Sequence, residues 1–159
     1  MNSIWQKICV PLFVVCIGLL AGACNDEDDI DIFVGRTWKV SNFFGPAGPV
    51  YSNVEDLKVL ERENSFFIKF EDSSTFTGRT LDKDFRGTWS VDLEKRTISL
   101  RIDGTVTTAD AFSKQLIKSL KDAVSYRGDY NYLNLVDKDK AYILFHPYKQ
   151  WFPQQNEQY

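Results

Sequence analysis

Cysteine and histidine are scarce in this sequence, and their scarcity excludes several kinds of site. The 159 residues include three cysteines, Cys9, Cys16 and Cys24, and one histidine, His146. Residues 25–159 therefore contain no thiol, which excludes disulfide bonds, thiolate zinc sites and cysteine nucleophiles from that part of the chain. One histidine cannot supply the several nitrogen ligands that a metal site of the usual type requires. We expect neither a metal nor a cofactor.

Catalytic motifs are missing as well. The chain has no Gly-x-Ser-x-Gly nucleophile elbow and no phosphate-cradling glycine loop. His146 stands directly before Pro147 at the end of a predicted strand, where a surface or edge side chain is the common case, so no Ser-His-Asp triad is indicated. A pair of carboxylates meeting across the fold stays open among the 22 Asp and Glu residues. We predict that the protein is not an enzyme.

A surplus of basic residues is also lacking. The net charge is -3, from 19 Lys and Arg against 22 Asp and Glu. Because phosphate neutralisation needs a basic face, this balance argues against a nucleic-acid partner. Aromatic residues, by contrast, reach 14% of the chain, and Phe and Trp suit half-buried pleated surfaces. The composition therefore favours a mainly β domain.

One segment, residues 1–23, has the parts of an export signal. Lys7 precedes an apolar run from Ile8 to Leu20, which is too short for a transmembrane helix. The run ends in Ala21-Gly22-Ala23, directly before Cys24. This arrangement resembles the bacterial lipobox, which implies that Cys24 is the lipid attachment site and the first mature residue. The alternative is an ordinary signal cleaved after Ala23, with Cys24 as a spectator.

An acidic run, Asp26 to Asp29, follows the cysteine directly. Dense like charge stays solvated and extended, so residues 24–32 are predicted to be a tether. The run resembles the acidic signal of surface-exposed lipoproteins of Bacteroidetes-type bacteria. That resemblance implies a lipid anchor in the outer membrane, in the cell envelope, with the domain facing outward.

Residues 33–148 are predicted to form one β domain. Alternating apolar residues and turn signals indicate strands at Thr37 to Phe43, Leu57 to Arg62, Ser65 to Phe70, Thr75 to Arg79, Gly87 to Val91, Thr97 to Ile102, Tyr132 to Val136 and Lys140 to His146. The second of these is ambiguous, because Val54, Leu57 and Leu60 also have helical spacing. Gly45 to Pro49, with two prolines and two glycines, is predicted to be a loop that cannot continue a ladder.

One amphipathic helix is predicted at Ala109 to Ala123. Its apolar stripe is Phe112, Leu116, Ile117 and Leu120, and Thr108 or Asp110 is the expected cap. Arg127-Gly128-Asp129 spells the integrin-binding tripeptide, but Gly and Asp are also the residues that a tight turn requires.

The order of these motifs resembles lipocalin-like domains of Bacteroidetes-type lipoproteins, a family of unassigned function. The resemblance lies in Gly35-Arg36-Thr37-Trp38-Lys39-Val40, in Gly87-Thr88-Trp89-Ser90-Val91, and in Phe112 to Leu120 followed by Tyr126, Gly128, Leu133, Leu135, Leu144 and Phe145. The late run is also similar to META-type domains. What this implies is a small antiparallel lipocalin-like or META-like β-barrel with one helix packed on it.

Two binding surfaces follow from this reading. Trp38, Phe70, Phe76 and Trp89 are predicted to line the barrel interior, which they either fill or leave open for a ligand. Residues 149–159 are predicted to be an aromatic, polar C-terminal tail; the patch His146 to Pro153 is either a plug or a surface for a protein or sugar. The leading hypothesis is non-enzymatic binding of a small or amphipathic ligand. The alternative is an accessory, protein-interaction subunit of an outer-membrane assembly.

Overall fold

A computed structural model describes residues 30–148 of the chain. Its strands are β1 Thr37–Gly45, β2 Gly48–Pro49, β3 Phe67–Phe70, β4 Thr75–Arg79, β5 Asp84–Asp92, β6 Thr97–Ile102, β7 Ala123–Gly128, β8 Leu133–Asp137 and β9 Tyr142–Pro147. Its helices are α1 Val54–Leu60 and α2 Ala111–Asp122. Over this range neither helix has the length and apolar character needed to cross a membrane.

The strands close into an antiparallel barrel. From β3 to β9 each strand pairs with the next one in sequence, and β1 pairs with β3 on one side and with β9 on the other. β1 and β3 to β9 thus form a closed barrel of eight strands, and the two-residue β2 pairs only with β1. Within residues 30–148 closure gives each of these eight strands a partner on both sides. The predicted mainly β fold class with an antiparallel barrel is confirmed.

Side chains alternate between the core and solvent along the strands, as the two-residue period requires. In β6, Ile98, Leu100 and Ile102 are buried while the residues between them are exposed. In β3, Ile68 and Phe70 are buried and Phe67 is half-buried. The inward positions predicted for both strands are confirmed.

Two glycines in the β4–β5 hairpin make room for aromatic rings. Gly78 stands opposite Phe85 and Gly87 stands opposite Phe76. A Cβ atom on Gly78 would lie 2.4 Å from the Phe85 ring, and one on Gly87 would lie 2.7 Å from the Phe76 ring. Each ring therefore covers the glycine on the neighbouring strand, a cross-strand pairing that helps to fix register.

The strand predicted at Leu57 to Arg62 is wrong, because this segment belongs to helix α1. Asn53 caps that helix, its side chain accepting a hydrogen bond of 2.7 Å from the Asp56 amide. Leu60 is 1% exposed and is the anchor of the helix in the core. The helical spacing of Val54, Leu57 and Leu60 is the one that the chain adopts, so residues 30–148 contain two helices where one was predicted.

The loop predicted at Gly45 to Pro49 is wrong in part. Gly45 pairs with Gly48 and Phe44 with Pro49, so the ladder continues into a short hairpin. Proline has no amide hydrogen to donate to a neighbouring strand. Because β2 is an edge strand with no strand on its outer side, it tolerates a proline. The next amide, that of Val50, donates to the Phe43 carbonyl at 2.7 Å.

Helix α2 spans Ala111–Asp122 and lies within the predicted range Ala109 to Ala123. Asp110 is its cap, accepting from the Ser113 amide at 2.8 Å. Leu116, Ile117 and Leu120 are buried, and the helix contacts β6, β8 and β9. The expected apolar stripe therefore packs against the barrel.

Candidate functional site

The barrel interior is filled by aromatic side chains. Trp38, Phe70 and Phe76 are 0% exposed and Trp89 is 7% exposed. The Phe70 ring lies 5.1 Å from the Trp89 ring and 6.4 Å from the Phe76 ring, between centroids. Contacts of this kind are those of a packed core. The four residues predicted to line the interior do so, and they fill it.

The segment before β1 covers the barrel end where β1 begins. Phe33 is 0% exposed, and its ring lies 5.2 Å from Phe70, 5.4 Å from Trp89 and 4.9 Å from Tyr126. The Trp38 indole donates to the Ile32 carbonyl at 2.9 Å, so this segment is tied to the first strand. Ile32, at the end of the predicted tether, is only 2% exposed. The Phe33 ring therefore fills the space between Phe70, Trp89 and Tyr126 at this end.

A groove of about 570 Å³ opens to solvent beside β4 and β5. It lies where the β5–β6 register ends at the Gly87–Ile102 pair, beyond which the Asp103 amide still donates to the Arg86 carbonyl at 2.9 Å. Its lining includes the apolar residues Phe85 and Val106 and the hydroxyl-bearing residues Thr77, Thr105 and Thr107. Phe67 also lines it, with its side chain on the opposite face of the sheet from that of Phe85. An apolar floor with a few polar groups is the usual make-up of a ligand site.

Charged side chains of both signs surround the groove. Asp84 pairs with Arg79 at 2.5 Å, and Asp103 pairs with Arg86 at 3.8 Å. Arg86 is 82% exposed, so its ion pair contributes little to stability and rearranges at small cost. Lys83 adds a further positive charge to the lining. The groove can therefore accept an aromatic or amphipathic ligand with polar or charged ends.

A buried lysine lies on the outside of the barrel next to this region. Lys39 is 3% exposed, and its ammonium group donates to the carbonyls of Ser65 and of Arg62, the latter at 2.5 Å. Burial lowers the pKa of Lys39 to about 8, and the charge of Glu61 opposes this shift. Because the amine is enclosed and hydrogen-bonded, its role is to hold the loop between α1 and β3.

The loop between α1 and β3 has a strained backbone, which contacts from Lys39 and Tyr148 stabilise. Asn64 has a φ of 54° and Phe66 a φ of 52°, in the left-handed region that side-chain-bearing residues rarely adopt. The Asn64 amide donates to the Tyr148 hydroxyl at 3.0 Å. Lys39 and Tyr148 thus stabilise a conformation that the loop would not adopt alone.

His146 lies opposite Lys39 in the β1–β9 ladder. The pKa of the His146 imidazole is below its usual value. The main cause is burial, and the positive charge of Lys39 lowers the pKa further, whereas the negative charge of Glu61 acts in the opposite direction. Within residues 30–148 its ring makes no hydrogen bond and no ion pair, so no serine or carboxylate is hydrogen-bonded to it. Over the same range no cluster of three or more His, Asp or Glu side chains is placed to hold a metal.

Arg127-Gly128-Asp129 has a structural explanation. A Cβ atom on Gly128 would lie 2.4 Å from the Tyr132 carbonyl oxygen, so the close approach of β7 and β8 requires glycine. The Asp129 side chain accepts from the amides of Asn131 and Tyr132 at 2.7 and 3.3 Å. Gly and Asp thus serve the turn between the strands.

Cys24 and the tail from residue 149 onward lie outside the described residues, as do the predicted signal segment and most of the tether. The last described residue, Tyr148, is well fixed: its amide donates to the Thr37 carbonyl at 2.8 Å. Its ring stacks on Phe67 at 5.9 Å between centroids. Phe67 stands opposite Arg79, so its ring lies on the outer face of the sheet, opposite to the face that carries Phe85.

The sequence did not predict the groove. Its residues come from β3, from the β4–β5 hairpin and from the loop after β6, and no motif or spacing links the three segments. The only signal in the sequence was the run Lys83-Asp84-Phe85-Arg86, in which an aromatic residue stands between charges.

Comparisons with known proteins agree with this fold. A crystal structure of a DUF4847 family protein from Bacteroides vulgatus ATCC 8482 is 29% identical, with a TM-score of 0.65 over 77% of this chain and 99% of that one. An NMR structure of a protein from Burkholderia xenovorans has a TM-score of 0.56 at 12% identity, over 79% of this chain and 90% of that one; it supports the fold alone. No curated protein matches the sequence.

The family model described as "Domain of unknown function (DUF4847)" matches residues 25–147, which include the whole barrel. The chain therefore belongs to the DUF4847 family.

Proposed function

We propose that this protein is a lipid-anchored protein of the cell envelope that acts by non-enzymatic binding, and that it binds in the groove beside β4 and β5 rather than inside the barrel. The observation that carries the proposal is the contrast between the two sites. The interior is occupied by rings such as Trp38 and Phe70, whereas the groove is open and has an apolar floor. The proposed ligand is small or amphipathic and carries an aromatic or aliphatic part.

The anchoring part of the proposal rests on Cys24. Replacing Cys24 by Ser removes the acceptor sulfur, and several acyl chains at about 0.8 kcal/mol per buried methylene are what hold such a protein to a bilayer. We expect the Cys24→Ser protein to move from the membrane fraction to the soluble fraction, as measured by fractionation and blotting. Retention of the variant in the membrane fraction would contradict the anchor.

The binding part is tested with the fluorescent dye 1-anilinonaphthalene-8-sulfonate, an aromatic anion that suits an apolar floor near Lys83 and Arg86. The background is the chain with Trp151→Ala and Phe152→Ala, so that these rings neither bind the dye nor compete with it. There, Val106→Asp is expected to weaken dye binding about tenfold, because it places a carboxylate on the apolar floor. Dye affinity is measured by fluorescence titration.

The matched control for this test is Val54→Asp. Val54 is 65% exposed at the start of α1 and does not line the groove. Its replacement introduces the same charge and should leave dye affinity unchanged. Equal dye affinities of the Val106→Asp and Val54→Asp proteins would mean that the dye binds elsewhere, and would contradict binding in the groove.

A second candidate function is that of an accessory subunit contacting a protein partner through the tail. It is favoured by one observation: Tyr148 is held against the barrel, and Trp151 and Phe152 follow it closely in sequence. On this hypothesis, loss of the two rings abolishes capture of the partner while dye binding in the groove is unaffected.

A further inference from the structure

We propose that the groove beside β4 and β5 is one half of a longer cleft that binds a single-chain amphipathic anion. The apolar part of this ligand contacts Phe85 and Val106, and its anionic head binds to lysines of α2. The inference rests on the proposed function, because it concerns the same groove, and it names the ligand class. The ligand is a dissolved molecule with one hydrocarbon chain and a carboxylate head or a head of similar charge.

A second groove, of about 470 Å³, adjoins the first. Val106 and Thr107 line both grooves, so the two meet at the loop between β6 and α2. From there the second groove follows α2, where its lining includes Ile117 and the lysines at 114 and 121. Each groove has a volume within the range of small-molecule sites. A ligand that crosses the loop at Thr107 therefore contacts both grooves.

The second groove is positively charged. Lys114, Lys118 and Lys121 are spaced so that they lie on one side of α2, about 10 Å from first to last. All three are exposed. Among the described residues, Asp122 is the one acidic residue in this lining, and it pairs with Lys118 at 2.6 Å. Three lysines against one aspartate leave the second groove with a surplus of positive charge.

Two of these lysines are available to a ligand. Within the described range, Lys114 and Lys121 make no ion pair, and their ammonium groups donate no hydrogen bond. Over the same residues the hydroxyls of Thr107 and Thr108 have no protein partner. Hydrogen bonds from a charged donor to an anionic acceptor are stronger than those between neutral groups. An anionic head can therefore bind here without breaking an existing pair.

The first groove has no such surplus of charge. Its lining has two basic residues, Lys83 and Arg86, and two acidic residues, Asp84 and Asp103, whose charges balance. The cleft thus changes from a balanced, partly apolar end to a basic end. This is the charge distribution that complements a ligand with an apolar chain and an anionic head. A cationic head of the same size would be repelled by the lysines.

The test is a calorimetric titration with decanoate, kept below the concentration at which it forms micelles. The protein is the full chain with Trp151→Ala and Phe152→Ala, as in the dye titration, and with Cys24→Ser, so that no acyl chain of its own competes. Decyltrimethylammonium carries the same hydrocarbon chain on a positive head. We expect decanoate to bind at least about tenfold more tightly than decyltrimethylammonium. Equal affinities for the two amphipaths would overturn the proposal.

A pair of substitutions tests the lysines directly. Lys114→Gln with Lys121→Gln is expected to weaken decanoate binding about tenfold, because it removes both available ammonium groups. The matched control is Lys58→Gln with Arg62→Gln, which removes two positive charges in and directly after α1. Helix α1 packs on β1, four strands from β6 around the barrel, so this pair should leave the affinity unchanged. Equal effects of the two pairs would show a general attraction of anions and reject the cleft.

Val106→Asp distinguishes failure of this inference from failure of the proposed function. It should weaken decanoate binding, as it should weaken dye binding. If Val106→Asp weakens decanoate binding and the Lys114, Lys121 pair does not, the groove remains a binding site but does not select an anionic head. If Val106→Asp has no effect on either ligand, the groove itself is rejected.

A bilayer is the other source of anionic heads on hydrocarbon chains. Sedimentation of the same Cys24→Ser protein with vesicles of phosphatidylglycerol separates it from a dissolved ligand. We expect little sedimentation, with or without Lys114 and Lys121. Vesicle binding that depends on these lysines, without binding of decanoate, would overturn the proposal in favour of a membrane surface.

Discussion

Replacing Phe33 by alanine is expected to lower the free energy of unfolding by about 3 to 5 kcal/mol, the range for removing a large buried ring. Phe33 lies outside every strand, yet it contacts Phe70, Trp89 and Tyr126 at the barrel end. Its removal leaves a cavity that these ring neighbours cannot fill without moving. Urea unfolding followed by circular dichroism measures the change.

The matched control for this prediction is Phe44→Ala. Phe44 is only half-buried, and its main aromatic contact is a stacked ring pair with Tyr142 at 4.7 Å. We expect a loss of about 1 kcal/mol, typical of a surface aromatic pair. If Phe33→Ala lowers the free energy of unfolding no more than Phe44→Ala does, the Phe33 ring does not close the barrel, and the interior is accessible from that end.

Lys39→Met is expected to change how stability depends on pH. The pKa of Lys39 is about 8 in the folded protein, against an ordinary value of 10.5 in the unfolded chain. Between these values the unfolded chain binds more protons, so the wild-type protein gains stability as pH rises. From about pH 7 to about pH 10 the wild type should gain about 2 to 3 kcal/mol relative to Lys39→Met.

The difference between the two proteins is the quantity to measure, because titrating groups that do not interact with Lys39 cancel in it. Lys39→Met also leaves the carbonyls of Arg62 and Ser65 without their donor, which lowers stability at every pH. Lys114→Met, on the exposed face of α2, removes a charge without touching a buried group and is the matched control. A level or falling difference for Lys39→Met would show that burial does not disfavour its charged form.

Strands were predictable where one face is buried and the other is solvated. In β6 the alternation of Ile98, Leu100 and Ile102 with polar residues leaves a single register that buries the apolar side chains. The Gly and Trp positions that start β1 and recur in β5 predicted core tryptophans, and Trp38 and Trp89 are both buried. Local pattern and burial agree in these segments.

Helix α1 was missed because two periods overlap in one short segment. Leu57 and Val59 alternate as in a strand, while Val54, Leu57 and Leu60 share a helical face. The better signal was the start of the helix, where Asn53 precedes Glu55 and Asp56. An Asn cap followed by acidic residues suits the first turn of a helix and has no such role in a strand.

The groove and the buried lysine depend on contacts between distant segments. Lys39 looks like an ordinary solvated residue of β1 until the loop after α1 places the Arg62 and Ser65 carbonyls over it, 23 and 26 residues later. Thr77 and Arg86 stand opposite each other on β4 and β5, but Val106 joins them only through the loop after β6. Sequence spacing carries no signal for either arrangement.

The most direct test of where this protein binds is amide chemical-shift mapping with the same sulfonate dye, in the chain carrying Trp151→Ala and Phe152→Ala. The account predicts that the largest changes in amide chemical shift occur at Thr77, Arg86 and Val106, around the groove. The amide signals of Trp38 and Leu135, in the barrel, should not shift. Large shifts at Trp38 and Leu135 with none at Val106 would show that the dye enters the barrel, and would contradict the account.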